Sequence, residues 1–203
     1  MNIGVLASGR GSNLQALLDA GPEALGGARV VLVLSDQPGA PALERARKAG
    51  VAARALQPAD AATVEEYEQR LVRLLAEAGV ELVVLAGYMR VLGPVFLEAF
   101  GGRTINIHPS LLPAFPGLRA QKQALEYGVK ISGCTVHYVD DGVDTGPVIA
   151  QKAVPVKDDD DEQTLSCRIL QEEHRLLPWV VSLLARGLIR RQGRRTTLER
   201  KDL

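Results

Sequence analysis

The chain has two cysteines, three histidines and no excess of either charge: 24 Lys and Arg are matched by 24 Asp and Glu in 203 residues. Each shortage removes a class of function. Cys134 and Cys167 lack the spacing of a disulfide framework or a zinc site, and Cys134, in an apolar run, reads as a buried thiol. A net charge of zero supplies no global field for nucleic acid or an anionic membrane. No apolar stretch is long enough to span a bilayer, and Met1 leads into a strand pattern rather than a basic leader. A soluble, cytoplasmic protein without nucleic-acid or membrane partners is therefore expected. The one basic concentration, Arg190–Arg195 with Arg200 and Lys201, reads as a solvated edge. What is present is ordinary globular composition, 46% hydrophobic and 24% charged, at a length that suits one domain.

Apolar runs alternate with helical periodicity. Asn2–Ala7, Arg29–Leu34, Val51–Leu56 and Glu81–Leu85 read as strands, separated by helices after Ser12, over Pro41–Ala49 and over Thr63–Ala78. Thr63 and Glu66 have the spacing of a capping box, and Gly79 marks the stop. Continuous apolar strands between helices describe parallel strands buried on both faces, an open doubly wound α/β sheet. A short helix from Pro94 to Phe100, a fifth strand over Thr104–Ile107 and a helix over Gln121–Tyr127 follow. Ile131–Val139 and Pro147–Val156 are joined by a short loop, which predicts an antiparallel or mixed extension. A long helix then reaches about Arg186. The acidic run Asp158–Glu162 suits its N-terminus, Pro178 is expected to kink it and Gly187 to end it.

Two places carry chemistry. Ser8-Gly9-Arg10-Gly11-Ser12-Asn13 joins the first strand to the first helix, where glycines admit a ligand to the backbone and a helix start offers free N–H groups to a phosphate. The rival reading is a dinucleotide fingerprint with Asp36 as its ribose acid, but Leu14 stands where the third glycine belongs. The second place is the carboxyl end of the fifth strand, where an open α/β sheet keeps its ligands. Asn106 and His108 are two apart and share a face. Asp144 lies in the glycine-bearing loop after the sixth strand. An amide, an imidazolium and a carboxylate suit attack by an amine on a formamide-like carbonyl: Asn106 and His108 donate to the oxyanion, and Asp144 raises the His108 pKa. His137, which alternates with core residues, and His174, on a helix face, are weaker candidates. No cluster has metal-ligand spacing, and no Gly-x-Ser-x-Gly elbow signals a serine hydrolase.

The blocks SGRGSNLQ (Ser8–Gln15), LAGYMRVL (Leu85–Leu92), INIHPSLLPAFPG (Ile105–Gly117) and GCTVHYVDDGVDTGPVI (Gly133–Ile149), in that order, resemble the phosphoribosylglycinamide formyltransferase family. The resemblance covers nearly the whole chain and is weakest after Gly187. It implies a Rossmann-like formyltransferase fold, with residues 1–100 as the phosphate and acceptor half, 101–187 as the catalytic and folate half, and 188–203 as a tail. It also implies that Asn106, His108 and Asp144 are catalytic. Gly11, Ser12, Asn13, Pro109 and Glu173 would bind phosphoribosylglycinamide. Met89, Arg90, Val91, Leu92, Asn106, Val139, Asp140, Asp141, Val143 and Asp144 would line the site for 10-formyltetrahydrofolate, a co-substrate; no metal is implied. The partners are then small molecules, and the chain a monomer or weak homodimer.

Two positions depart from the family pattern. Val64 stands where a basic residue often meets the folate tail, and Arg119–Lys122 lacks a histidine. Other folate-dependent formyltransferases, formyltetrahydrofolate hydrolases and an idle nucleotide-binding module are the alternatives. The tRNA and hydrolase relatives are expected to carry a further domain.

Overall fold

The computed structural model describes residues 1–199. A seven-stranded sheet of order β3-β2-β1-β4-β5-β6-β7 forms its centre. The strands are β1 (Asn2–Leu6), β2 (Arg29–Ser35), β3 (Ala52–Ala55), β4 (Leu82–Leu85), β5 (Thr104–His108), β6 (Ile131–Tyr138) and β7 (Val148–Pro155). The first five run parallel, while β6 and β7 are antiparallel additions.

Strand residues serve two cores in alternation. Ile3, Val5, Val33, Leu82 and Val84 face one side, with Leu14 and Leu17 of α1 (Ser12–Ala24), Leu43 of α2 (Pro41–Lys48), and Ile169, Leu177 and Val181 of α6 (Glu162–Ala185). Leu6, Leu32, Leu34, Val83 and Leu85 face the other, with Leu71 and Leu75 of α3 (Val64–Glu77) and Phe96 and Phe100 of α4 (Pro94–Phe100). This is the doubly wound arrangement, and the burial of both faces explains why those strands read as unbroken apolar runs. β3 is an edge strand and largely exposed.

Local details refine the sequence reading. Thr63 caps α3 by accepting from the Glu66 N–H, but the Glu66 carboxylate reaches back to the Ala62 N–H at 2.7 Å instead of closing a box on Thr63. α6 is not interrupted at Pro178: the ring removes one hydrogen bond, and apolar packing of Leu177, Val180 and Val181 holds the helix together. The break lies in α1, at Gly21 (φ 66°), just before Pro22. The basic stretch Arg190–Arg195 is exposed, as expected of a solvated edge, but it is also ordered. It folds into a hairpin of β8 (Ile189–Gln192) and β9 (Arg195–Leu198), while Arg200 and Lys201 lie outside the described residues. The structure also has α5 (Ala120–Tyr127). Cys134 is fully buried, and burial pushes its thiol up to about 12. Among the described residues no helix is long and apolar enough to cross a membrane, and no group of acidic, His and Cys side chains is arranged to hold a metal ion.

Candidate active site

The strand order reverses at β1, which has β2 on one side and β4 on the other. The chemistry gathers at the carboxyl ends of β1, β4 and β5. Antiparallel pairing sets Asn106 of β5 opposite His137 of β6. Asp144 closes the group from the β6–β7 loop. Its Oδ2 accepts from the Gly117 N–H at 2.8 Å and lies 3.1 Å from His108 Nδ1; its Oδ1 accepts from Asn106 Nδ2 at 3.2 Å and lies 3.5 Å from His137 Nε2. The sequence-predicted trio is thus one cluster, and His137, the weaker candidate, joins it. Bulged register between Val136 and His137 and an Asp144 φ of 55° aim the two side chains inward.

The hydrogen bonds constrain the proton positions. His137 Nδ1 is 2.8 Å from the Tyr138 carbonyl, which can only accept, so Nδ1 carries the proton and Nε2 accepts from Asn106 Nδ2 at 3.2 Å. Both hydrogens of the Asn106 amide are then engaged, by Asp144 and His137, and its Oδ1 remains. His108 meets acceptors at both nitrogens, Asp144 at Nδ1 and the Phe115 carbonyl at Nε2, 2.8 Å away. The expected rise in the His108 pKa is not what results. Burial lowers it, and the pull of the Phe115 carbonyl and of Asp144 toward the charged form does not overcome that cost. For Asp144 burial works upward, but its contact with the His137 ring, the hydrogen bond from the Gly117 N–H and the neighbouring His108 ring outweigh it and leave the carboxyl below its usual range. The resting site therefore has an ionised Asp144 beside a neutral imidazole with two acceptors and one proton, a histidine poised to take up another.

The glycine loop is built as its sequence suggests. Gly11 adopts φ 71° and ψ 31°, and a Cβ there would strike Ala42 of α2. α1 has no side-chain cap and no acid in its first turn. In contrast, α3 and α6 are capped by Thr63 and Asp161 and carry acids there. The amides of Ser12 and Asn13 thus open a helix whose positive end is left uncompensated. Asn13 Nδ2 donates to Glu173 at 2.7 Å, joining α1 to α6, and the buried Asn13 Oδ1 has no partner. Burial pushes the Glu173 carboxyl up, against the hydrogen bond from Asn13. Pro109 is half-buried directly after His108. A recess of about 600 Å³ beside the loop is lined by Ser12, Gln15, Arg45 and His174 among others.

The segment after β4 is tied to this loop: Met89 N–H donates to Ser8 Oγ at 2.9 Å. The buried Glu68 carboxylate accepts from Gly93 and Phe96 N–H groups and fixes its far end. Met89 and Val91 are 64% and 68% exposed, while Leu92 is buried in the core on the α3 and α4 side, against which Val139 also packs. Val143 is half-exposed, and Asp140 and Asp141 lie on the same β6–β7 loop.

A family model described as formyl transferase matches residues 1–181. A phosphoribosylglycinamide formyltransferase of Bacillus subtilis is 45% identical over 89% of this chain and 92% of its own length. This chain belongs to the phosphoribosylglycinamide formyltransferases of the formyl transferase family. A glycinamide ribonucleotide transformylase from Symbiobacterium toebii shares 52% identity and a TM-score of 0.95, covering 98% of this chain and 93% of that one. The trifunctional purine biosynthetic protein of Drosophila pseudoobscura pseudoobscura is 52% identical over 93% of this chain, which spans only 14% of that protein's length.

The two positions that depart from the family pattern have defined surroundings. Val64 is exposed at the start of α3; one turn further on, the Tyr67 ring has the Arg90 guanidinium 5.5 Å from its centre. Arg119 and Lys122 are engaged with Glu162 and Glu126 at 3.2 and 3.3 Å. Sequence reasoning missed the roles of the Phe115 carbonyl and the Gly117 N–H. Main-chain groups leave no residue-type signal, and only the loop's path delivers them.

Proposed function

We propose that this chain transfers the formyl group of 10-formyltetrahydrofolate to the glycinamide amine of 5'-phosphoribosylglycinamide, giving the N-formyl product and tetrahydrofolate in de novo purine synthesis. The reading extends to a single cytoplasmic domain acting as a monomer or weak homodimer, with small molecules as its only partners. The observation that carries it is the Asp144 carboxylate, bonded at once to Asn106 and Gly117 and paired with His108. The relatives' names supply the substrate.

The residues suit both ligands. An anionic phosphate fits the uncapped start of α1 at Gly11, Ser12 and Asn13, and the free Asn13 oxygen beside Glu173 fits a hydroxyl donor of the same acceptor. A flat heteroaromatic donor fits the uncovered apolar side chains of Met89, Val91 and Val143, near in sequence to the less exposed Leu92 and Val139. That donor supplies the formyl carbon; the protein supplies position and proton management.

As the amine forms its bond to the formyl carbon, the carbonyl electron pair moves onto oxygen. His108 takes up the proton the attacking amine loses, exchanges the Phe115 carbonyl for the new oxyanion and stabilises it as an imidazolium, with Asp144 balancing the charge. Asn106, held by Asp144 and His137, presents its remaining carbonyl oxygen as an acceptor for the amine N–H. Collapse breaks the old C–N bond. The proton lost by the amine passes through the His108–Asp144 pair to the departing nitrogen, so the site ends as it began.

Mixing the chain with 10-formyltetrahydrofolate and phosphoribosylglycinamide is expected to release tetrahydrofolate in step with acceptor formylation. Release without an acceptor would instead identify a hydrolase, and absence of turnover would identify an idle binding module.

A further inference from the structure

The C-terminal hairpin touches the loop that carries Asp144. Arg194 Nη2 donates to the Thr145 carbonyl at 2.7 Å, and Thr196 Oγ1 donates to the Val148 carbonyl at 2.6 Å. The Arg191 guanidinium lies 5.2 Å from the centre of the Tyr138 ring. The two ends of the β6–β7 connection are therefore both held from the hairpin, by Arg191 of β8, Arg194 of its turn and Thr196 of β9. Inside the loop, the Thr145 hydroxyl donates to Asp140 Oδ1 at 2.6 Å, and the same oxygen accepts from the Gly142 N–H at 3.2 Å. Thr145 is thus gripped on two sides, by the loop's own carboxylate and by the hairpin.

Thr145 is also the residue covalently next to Asp144, which sits in the left-handed region at φ 55°. A non-glycine residue stays there only where its surroundings over-determine the backbone. Asp144 has such surroundings on its side-chain face, from Gly117, Asn106 and the histidines. On its main-chain face the neighbouring carbonyl is held by Arg194.

We propose that Arg194 is a positioning residue for formyl transfer: through the Thr145 carbonyl, the C-terminal hairpin holds the Asp144 backbone so that its carboxylate meets His108 and Asn106. The proposal rests on the role given to Asp144 above. Displacing a reacting group by about 1 Å costs up to about 100-fold in rate, and partial release of one anchor costs less.

The test uses the full chain and its two substrates. Arg194→Ala is expected to lower kcat about tenfold with the acceptor KM changed less than about twofold. Arg194→Lys, which keeps a donor, is expected to recover most of that loss. Arg190→Ala, on the same hairpin but facing Glu199, is expected to behave as wild type. In an Asp144→Asn background, Arg194→Ala is expected to add less than about twofold, because its effect runs through the carboxylate already removed. A wild-type kcat in Arg194→Ala overturns the proposal, as does an equal loss in Arg190→Ala or a full second loss in the Asp144→Asn background. Full activity of Asp144→Asn alone would remove the underlying reading, a separate result from the failure of the brace.

Discussion

Replacing Asp144 by Asn removes one charge from the centre of the cluster while keeping its volume. The carboxylate lies 3.1 Å from His108 Nδ1, and the side chains are 11% and 6% exposed. At that distance, with an effective dielectric constant near 20, a carboxylate and an imidazolium attract by roughly 5 kcal/mol before solvent and desolvation are counted. Retaining about 3 kcal/mol of that in the transition state corresponds to a rate loss of roughly 100-fold or more. The amide adds a second fault. Asp144 accepts through both oxygens, one facing Gly117 and His108 and the other facing Asn106. Asn has a single acceptor oxygen, so one of those donors must face an N–H₂ group. Because the interaction strengthens as charge develops, kcat is expected to fall while the acceptor KM stays within about threefold. Loss of the carboxylate also removes one of the influences that favour a charged His108, so raising the pH cannot rescue the variant. The assay is tetrahydrofolate release under saturating substrates from pH 5 to 9. A kcat within about threefold of wild type at any pH in that range would refute a charge-balancing Asp144.

Glu173 has a folded pKa raised above its usual 4.5. Its contribution to stability is therefore full below that value and is lost as the pH rises through the folded pKa. Glu173→Gln, whose oxygen can still accept from Asn13, is expected to raise Tm at pH 8 and to match wild type near pH 4; a lower Tm at pH 8 would contradict the burial argument. Gly146 is buried, and a Cβ there would collide with the Tyr138 carbonyl at the base of the β6–β7 loop. Gly146→Ala is expected to cost about 1–3 kcal/mol in urea unfolding, with activity falling as well; an equally stable variant would show that the loop can move aside.

Much of this molecule was legible in its residues because the governing forces are local. Apolar runs bounded by glycine and acidic residues predicted the strands and helices of the sheet to within a residue or two, and Thr63 announced the start of α3. The failures are as instructive. Glu66 reached Ala62 because side-chain direction depends on the path of the preceding 3₁₀ turn, Pro58–Asp60. The basic stretch after Gly187 is exposed as expected, but its hairpin was not foreseen, because the partners of its side chains, Tyr138, Thr145 and Val148, lie far back in the chain. His137 looked like a core histidine because alternation reports only which face a side chain takes, and that face is buried. Its partner across the sheet depends on the register of β5 against β6.

The sequence by itself determined the layered α/β class, the glycine turn at the start of α1, and the inventory of Asn106, His108 and Asp144. Those follow from periodicity, from steric freedom at glycine and from side-chain chemistry, all properties of short stretches. Only the tertiary structure decided that the three meet, that Asn106 spends both amide hydrogens on Asp144 and His137, and that burial lowers the His108 pKa against the pull of its neighbours. Contact between residues 38 apart is set by strand pairing and loop path, and a pKa is set by how much water the finished fold excludes.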